Sequence, residues 1–253
     1  MSIKLKNYIF NHLKNLKIKK GDNLLVYSDL SKFGFSSKSL PRIIISNLKL
    51  IVGKSGTIVM PFYNFEKGKN FAFNKKKFFY TNMVGSLTKE FCKEKKILRS
   101  KSLIHNHIGL GPKANVLDFS KEDVSIGKDS DFEFFKNYNF KLLMLACEPI
   151  QGATYLHHLE AIYKVPYRKW IILKRKKILK GVKKNVFIKY FAKKNNNYVS
   201  DFNSVFKKIR KYKSIIYEQK VKYGRSYFIS LKHLDKIGLK FLKENKYSFV
   251  KKK

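Results

Sequence analysis

Apolar positions along this chain fall into blocks whose spacing alternates between helical and extended. Ile3, Leu5, Tyr8, Ile9, Leu13 and Leu16 recur at near-helical intervals and predict an amphipathic helix over 3–16. Lys19-Lys20-Gly21-Asp22 breaks it, and Asn23 to Tyr27, with Leu24-Leu25-Val26 at its centre, reads as a buried strand. A hydroxyl-rich loop follows, Ser28-Asp29-Leu30-Ser31-Lys32-Phe33-Gly34. Pro41 opens a second helix with Ile44, Ile45, Leu48 and Ile51 on one face. Gly53 to Gly56 turns the chain into a second strand, Thr57 to Met60, stopped by Pro61.

Residues 64–82 show no clear period and read as an excursion or flap, whereas Gly85 to Glu94 reads as helical. The apolar run Lys141 to Cys147 predicts another strand. A helix starting at Gly152 or Thr154 carries His157 and Glu160 and ends before Val165-Pro166, because proline disfavours helical geometry in the residue ahead of it. Ile171-Ile172-Leu173, Val186-Phe187-Ile188, Ser214 to Gln219 and Ser226 to Ser230 predict further strands. Leu231, Leu234, Ile237, Phe241 and Leu242 give a closing amphipathic helix. The order predicts a layered α/β/α fold with a central mixed, largely buried sheet and additional C-terminal strands and helix. No internal repeat or Pro- or Gly/Ser-rich linker interrupts it. One domain over 1–253 is expected, with a core at 1–168 and closing elements at 169–253.

Composition narrows the class. A hydrophobic share of 44% is that of a globular chain, and no apolar run approaches the roughly 18 residues that span a bilayer. Two cysteines, Cys92 and Cys147, give neither a disulfide framework nor a four-thiolate metal site. A cytoplasmic protein is expected. The net charge of +39 points towards nucleic acid, yet only six of the 56 basic residues are arginine, the residue favoured for bidentate phosphate and base contacts. Lysine is spread over the whole chain, so a solvated surface is expected and nucleic acid is the lesser reading. An anionic membrane face would also be attracted, leaving peripheral association open.

Candidate chemistry gathers in two segments. Arg99 to Pro112 holds His105 and His107, two apart, followed by Gly109 and Gly111. Downstream, His157 and Glu160 share a helix face at i, i+3, a spacing that lets a carboxylate fix an imidazole's tautomer and raise its basicity. His12 and His158 are expected to be structural or exposed. No zinc-type ligand spacing, Walker loop or Gly-x-Ser-x-Gly elbow is present, so no metal is expected. Cys147 sits in an apolar run and reads as packing. Six of the 17 acidic residues fall within 118–133, either as a locally balanced loop or as an attraction for a cationic substrate.

Taken in order, these motifs resemble the aminoglycoside 3-N-acetyltransferase family. Gly21-Asp22 through Val26-Tyr27-Ser28, then Leu30, Ser31, Phe33 and Gly34, resemble the family's Gly-Asp-x-apolar-apolar-Val-His-Ser-Ser-Leu and its continuation. Gly56-Thr57 with Val59-Met60-Pro61, and Gly85-x-Leu87-Thr88-x-Glu90-Phe91, are similar to two further family segments. Arg99, Ser100, His105 and Gly111-Pro112 fall on Arg-Ser-x-His-Pro-x-His-Ser and its Gly-Pro. Thr154 to Glu160, then Val165-Pro166-Tyr167-Arg168, resemble Asn-Thr-Phe-Leu-His-x-x-Glu and Val-Pro-Tyr-Arg.

The resemblance implies acetyl transfer from acetyl-CoA to an amine on a sugar-like acceptor, with a histidine as general base. It puts His105 at the base's position, with Glu160 and His157 as further catalytic candidates. It seats pantetheine on Ser28, Leu30, Ser31, Phe33 and Gly34, and makes Asn106, Thr154 and Arg168 candidates for acceptor contact. Tyr27 stands where the family has a histidine, Phe62 where it has threonine, Ala153 where it has asparagine, and His107 on a usually apolar position. Such changes suggest an endogenous, for example nucleotide-linked, amino sugar rather than an antibiotic. A basic nucleic-acid-binding protein, or a relative using another acyl-CoA, are the alternatives.

Overall fold

A computed structural model describes residues 3–65, 72–73, 84–179 and 181–253. Most of the expected flap lies outside these residues. The first half of the chain lays down α1 (Ile3–Asn15), β1 (Asn23–Ser28), α2 (Leu40–Val52), β2 (Thr57–Pro61), the short β3 (Ala72–Phe73) and α3 (Ser86–Phe91). Two short strands, β4 (Leu98–Arg99) and β5 (His107–Leu110), flank the loop carrying His105. Then come α4 (Asp131–Asn137), β6 (Phe140–Leu145), the one-turn α5 (Pro149–Gly152) and α6 (Tyr155–Tyr163). The long hairpin β7 (Arg168–Leu179) and β8 (Val182–Lys193) is followed by β9 (Tyr198–Ser200), α7 (Phe202–Ile209), β10 (Ile216–Val221), β11 (Gly224–Ser230), α8 (Leu231–Glu244) and β12 (Val250–Lys252).

Seven strands form the central sheet in the order β10-β11-β6-β1-β2-β5-β4. The central trio β6, β1 and β2 is parallel, and the flanking pairs are antiparallel, so the sheet is mixed. Strand alternation divides the core in two. Leu25, Tyr27, Leu142 and Met144 face a layer that includes Phe132, Leu156, Leu159, Phe206 and Leu242 from α4, α6, α7 and α8. Leu24, Val26, Leu143 and Leu145 face the other layer, with Ile9 and Leu13 of α1 and Ile44 and Leu48 of α2. Period-two side chains on strands buried from both sides require this arrangement. Each fully buried Leu, Ile or Phe side chain contributes about 1.5–3 kcal/mol.

The helices α4 and α7 and the terminal strands β9 and β12 are additions to the sequence-based expectation. Phe202, Val205, Phe206 and Ile209 carry the i, i+3, i+4, i+7 spacing of α7, and the Asp201 side chain accepts from the Ser204 N–H at 3.2 Å to cap it. The seven residues of α4, three of them phenylalanine, are too short to show a period.

Parallel strands that share a direction deliver their C-terminal ends to one side of a sheet, the usual place for a ligand crevice. Here Ser28 ends β1, Pro61 ends β2 and Cys147 follows β6, and all three line a single cavity of about 680 Å³. Among the described residues, no helix is long and apolar enough to cross a membrane.

Candidate active site

Segments from across the fold wall the cavity. The loop after β1 gives Ser28, Asp29, Leu30 and Ser31, and the chain after β6 gives Cys147, Ile150, Gln151 and Thr154. The segment after β2 adds Tyr63 and Phe65, and Gly85, Ser86 and Thr88 come from the start of α3. Helix α6 and the β7–β8 hairpin contribute His157, Arg168, Tyr190 and Phe191, and the β4–β5 loop contributes His105. Ser31 Oγ donates to Asp29 Oδ1 at 2.6 Å, which fixes the turn of the first loop.

The β4–β5 loop is clamped from within. Arg99 Nε donates to Asn106 Oδ1 at 2.6 Å, and Asn106 Nδ2 donates to the carbonyls of Ser100 and Ser102 at 2.9 and 2.7 Å. The Phe62 and Asn64 N–H groups donate to the carbonyls of Asn106 and Ile104, tying the loop to the segment after β2. Gly111, at φ +122°, ends the segment where an added Cβ would lie 2.4 Å from the Gly56 carbonyl oxygen, so a side chain is excluded there. The outcome is a buried His105 aimed at the cavity, with Ser125 Oγ 2.5 Å from its Nδ1. Burial, followed by the repulsion that His157, His107 and Arg168 would exert on a charged ring, holds His105 well below the ordinary histidine pKa.

His157 and Glu160 meet as their helical spacing allows. His157 Nδ1 lies 2.6 Å from Glu160 Oε2, and the imidazole is 26% exposed while the carboxylate is fully buried. Tyr167 donates its hydroxyl to Glu160 Oε1 at 2.9 Å, and Arg168 Nε lies 2.7 Å from Oε2. Burial alone would raise the Glu160 pKa, but His157, Arg168 and Tyr167 together outweigh it and keep the carboxylate below its usual range. Phe202 packs edge-on against His157, with ring centroids 4.7 Å apart. Arg168 Nη2 also lies 3.1 Å from His157 Nδ1, but the carboxylate is nearer, and as the acceptor of an Nδ1–H it leaves the free lone pair on Nε2.

Among the residues singled out from the sequence, the structure brings His105, His157, Thr154, Arg168, Ser28, Leu30 and Ser31 to the cavity. Others are placed elsewhere. Phe33 is buried in the core layer under α1 and α2, and Gly34 ends the loop in a left-handed conformation beside Lys222, so neither lines the cavity. Asn106 is fully buried, with both ends of its amide used inside its own loop, which removes it from acceptor contact. Glu160 reaches the cavity only through His157 and Arg168.

Ile126 lines the cavity, but none of the six carboxylates of the run 118–133 does. Glu122 pairs with Lys177, Asp129 with Lys121 at 2.8 Å, and the buried Asp131 with His107 at 2.6 Å. It therefore balances charge locally instead of presenting a patch to a cationic substrate. His12 and His158 are structural. His12 meets Ser226 Oγ at 2.9 Å, and the Gly127 N–H donates to His158 Nδ1 at 3.2 Å. Burial of Cys147 pushes its thiol up to about 12, as suits a packing residue. Tyr63, Ser125 and Tyr190 belong to the site although no sequence motif marks them; their signal is only spatial.

Two imidazoles, hydroxyl-bearing loops and a cavity of this volume suit proton transfer from a bound small molecule. The aminoglycoside 3-N-acetyltransferase family matches residues 25–243. No curated protein sequence matches the chain. Among solved structures, the YokD protein from Bacillus subtilis is similar at 22% identity and a TM-score of 0.79, covering 95% of this chain and 99% of that one. AAC-IIIb, solved as a binary complex with CoASH, is similar at 16% identity and a TM-score of 0.79, covering 94% and 96%. AAC-VIa, solved with bound sisomicin, is similar at 16% identity and a TM-score of 0.80, covering 94% and 97%. The order of motifs, the mixed sheet and the match over most of the chain together place this protein in the aminoglycoside 3-N-acetyltransferase family of CoA-dependent N-acetyltransferases.

Proposed function

We propose that this enzyme acetylates an amino group of an amino sugar, with His157 as general base and Glu160 as the group that orients it. The single observation carrying this reading is the 2.6 Å contact between His157 Nδ1 and the buried Glu160 carboxylate at the cavity wall. His105, the position the sequence resemblance favours for the base, is less suited. It is more deeply buried, lies near the Arg168 guanidinium and is bonded to a hydroxyl rather than a carboxylate.

Acetyl-CoA supplies the acetyl group as a thioester, and the Ser28–Ser31 loop with Cys147 and Ile150 is the stretch that would hold its pantetheine arm. The mixture of apolar wall and hydroxyls there fits such a chain. His157 Nε2 takes a proton from the attacking nitrogen as the C–N bond forms; the tetrahedral intermediate then collapses with cleavage of the C–S bond, and the imidazolium, stabilised meanwhile by Glu160, returns that proton to the departing CoA thiolate. Hydroxyls and N–H groups of the Ser28–Ser31 loop are the donors for the oxygen that gains charge. His105, kept neutral, accepts a hydrogen bond from the acceptor and orients it.

The acceptor reading follows the relatives: AAC-VIa was solved with sisomicin, an amine-bearing ligand. Asp29 is the one carboxylate lining the cavity among the described residues besides those reached through other side chains, and it is engaged by Ser31 and lies 3.9 Å from Lys32. That wall favours an acceptor with one amine and neutral or anionic substituents, such as a nucleotide-linked amino sugar, over a polycation. A screen of acetyl-CoA thiol release against sisomicin, glucosamine and nucleotide-linked amino sugars tests this. Faster release with the sugar nucleotides supports the reading, and release with sisomicin alone overturns the acceptor assignment.

A further inference from the structure

Two of the positions that differ from the family pattern, Tyr27 and His107, are joined in the structure by Tyr63 and end on a buried carboxylate. Asp131 Oδ2 lies 2.6 Å from His107 Nδ1, with both side chains buried. The other ring nitrogen, Nε2, lies 3.5 Å from the Tyr63 hydroxyl, and Tyr63 is hydrogen-bonded to the Tyr27 hydroxyl. Thr154 reaches both phenols with its side chain. Tyr27, Tyr63 and Thr154 line the cavity, whereas His107 and Asp131 lie behind them.

Donor and acceptor chemistry gives this chain a direction. A carboxylate oxygen accepts, so Nδ1 carries the proton in the His107–Asp131 contact, and the other ring nitrogen, Nε2, is the acceptor for Tyr63. Tyr63 then donates to Nε2 and accepts from Tyr27, with the Thr154 side chain beside both phenols. Every proton in the series points inward, and lone pairs remain at the cavity end. Burial holds both phenols protonated, Tyr27 and Tyr63 each above the ordinary tyrosine value, so neither hydroxyl is lost as a donor. Phe132 and Phe135 pack edge-on against His107, with centroids 5.1 and 4.9 Å away, and fix the ring plane. Asp131 Oδ1 is buried without a hydrogen-bond partner, so His107 is the group this carboxylate serves.

We propose that His107 and Asp131 are positioning residues that orient the Tyr63 and Tyr27 hydroxyls, making with Thr154 a hydrogen-bond-accepting wall that recognises an N–H or O–H donor of a bound substrate. The inference rests on the reading of this cavity as the acetyl-transfer site. The donor is either the acceptor's amine or hydroxyl, or an amide N–H of the pantetheine arm, and the two are separable by kinetics.

The test is Asp131→Asn. Its carboxamide keeps the shape but offers a donor as well as an acceptor, so His107 Nδ1 no longer has to carry the proton and the fixed polarity of the wall is lost. Steady-state kinetics are measured with acetyl-CoA and whichever of sisomicin, glucosamine or a nucleotide-linked amino sugar turns over fastest. The expected result is a KM raised about tenfold for one substrate and unchanged for the other, the substrate affected being the one the wall binds. Tyr63→Phe, which keeps the ring and deletes the link, raises the same KM, and the double variant is no worse than either single one. Unchanged KM values in folded Asp131→Asn protein, or a lowered melting temperature alone, overturn the proposal. If Asp131→Asn does not fold, Tyr63→Phe decides in the same way. A wild-type protein that neither binds acetyl-CoA in calorimetry nor acetylates any of these amines refutes the reading of the cavity itself, a failure distinct from unchanged KM values in an active enzyme.

Discussion

His157 and Glu160 stand one helical turn apart on α6, with Nδ1 and Oε2 separated by 2.6 Å, and only the imidazole reaches the cavity. The carboxylate is enclosed by Tyr167 and Arg168, so it can orient and support the imidazole but not meet a substrate. Replacing Glu160 by Gln keeps the volume and removes the charge. The expected outcome is a kcat lower by about 10²-fold or more with acetyl-CoA affinity retained, since general-base contributions are typically 10²–10⁴-fold. Single-turnover kinetics with titration calorimetry checks both.

Arg168 faces the same carboxylate, and its Nη1 also donates to the Phe191 carbonyl at 3.2 Å. Arg168→Met leaves Glu160 with His157 and Tyr167 alone. Breaking one side of a buried ion pair costs about 3–5 kcal/mol, so the urea midpoint should fall sharply. Arg168→Lys should recover only part of that, because an ammonium cannot span the guanidinium's contacts with Glu160, the Phe191 carbonyl and His157. Equilibrium unfolding of the two variants measures the difference.

Much of this arrangement is legible in the sequence because it depends on local spacing. The i, i+3 relation of His157 and Glu160 and the helix break at Val165-Pro166 suffice to put the pair on one face. The alternation in Leu24-Leu25-Val26-Tyr27 likewise foretells a strand buried on both sides, and the two core layers follow it residue by residue. Relations across long separations are not legible. Asp131 lies 24 residues from His107 and Ser125 lies 20 from His105, and only the packing of α4 and the loop before it brings them together. Asn106 shows the converse. It sits in a motif that reads as substrate-binding, but seven residues upstream Arg99 takes its oxygen, and the carbonyls of Ser100 and Ser102 take its amide.

That clamp predicts a structural phenotype for Asn106. Asn106→Ala removes one acceptor of the buried Arg99 and the donor for two loop carbonyls, at about 1–3 kcal/mol for each buried carbonyl left unsatisfied. Thermal unfolding should shift down by several degrees while acetyl-CoA still stabilises the variant. A retained melting temperature combined with a raised acceptor KM would instead place Asn106 against the substrate.

Stability should fall on the acid side of neutrality. His12 is held at about 4 and His158 at about 3 by burial, and His105 well below its usual value, against 6.5 in the unfolded chain. Above pH 6.5 neither state binds these protons, so the contribution is complete. As pH falls below 6.5 the unfolded chain gains protons that the folded rings refuse, and stability drops until the folded values are reached. At about 1.4 kcal/mol per unit, His12 alone accounts for roughly 3 kcal/mol by pH 4. Glu160, held below its usual range, adds a loss in the same direction as pH falls through its folded value. Urea midpoints between pH 7.5 and 4 should decline steadily, and His12→Gln should flatten the upper part of that decline.

The identity of the base is tested most directly by comparing His157→Ala and His105→Ala in acetyl-CoA turnover with one amine acceptor. Acetyl-CoA binding is followed in parallel by the shift in melting temperature. The geometry predicts that His157→Ala loses about 10²–10⁴-fold in kcat while acetyl-CoA still stabilises it, and that His105→Ala mainly raises the acceptor KM. Near wild-type kcat in His157→Ala, with turnover abolished in His105→Ala, would contradict it and return the base to the β4–β5 loop.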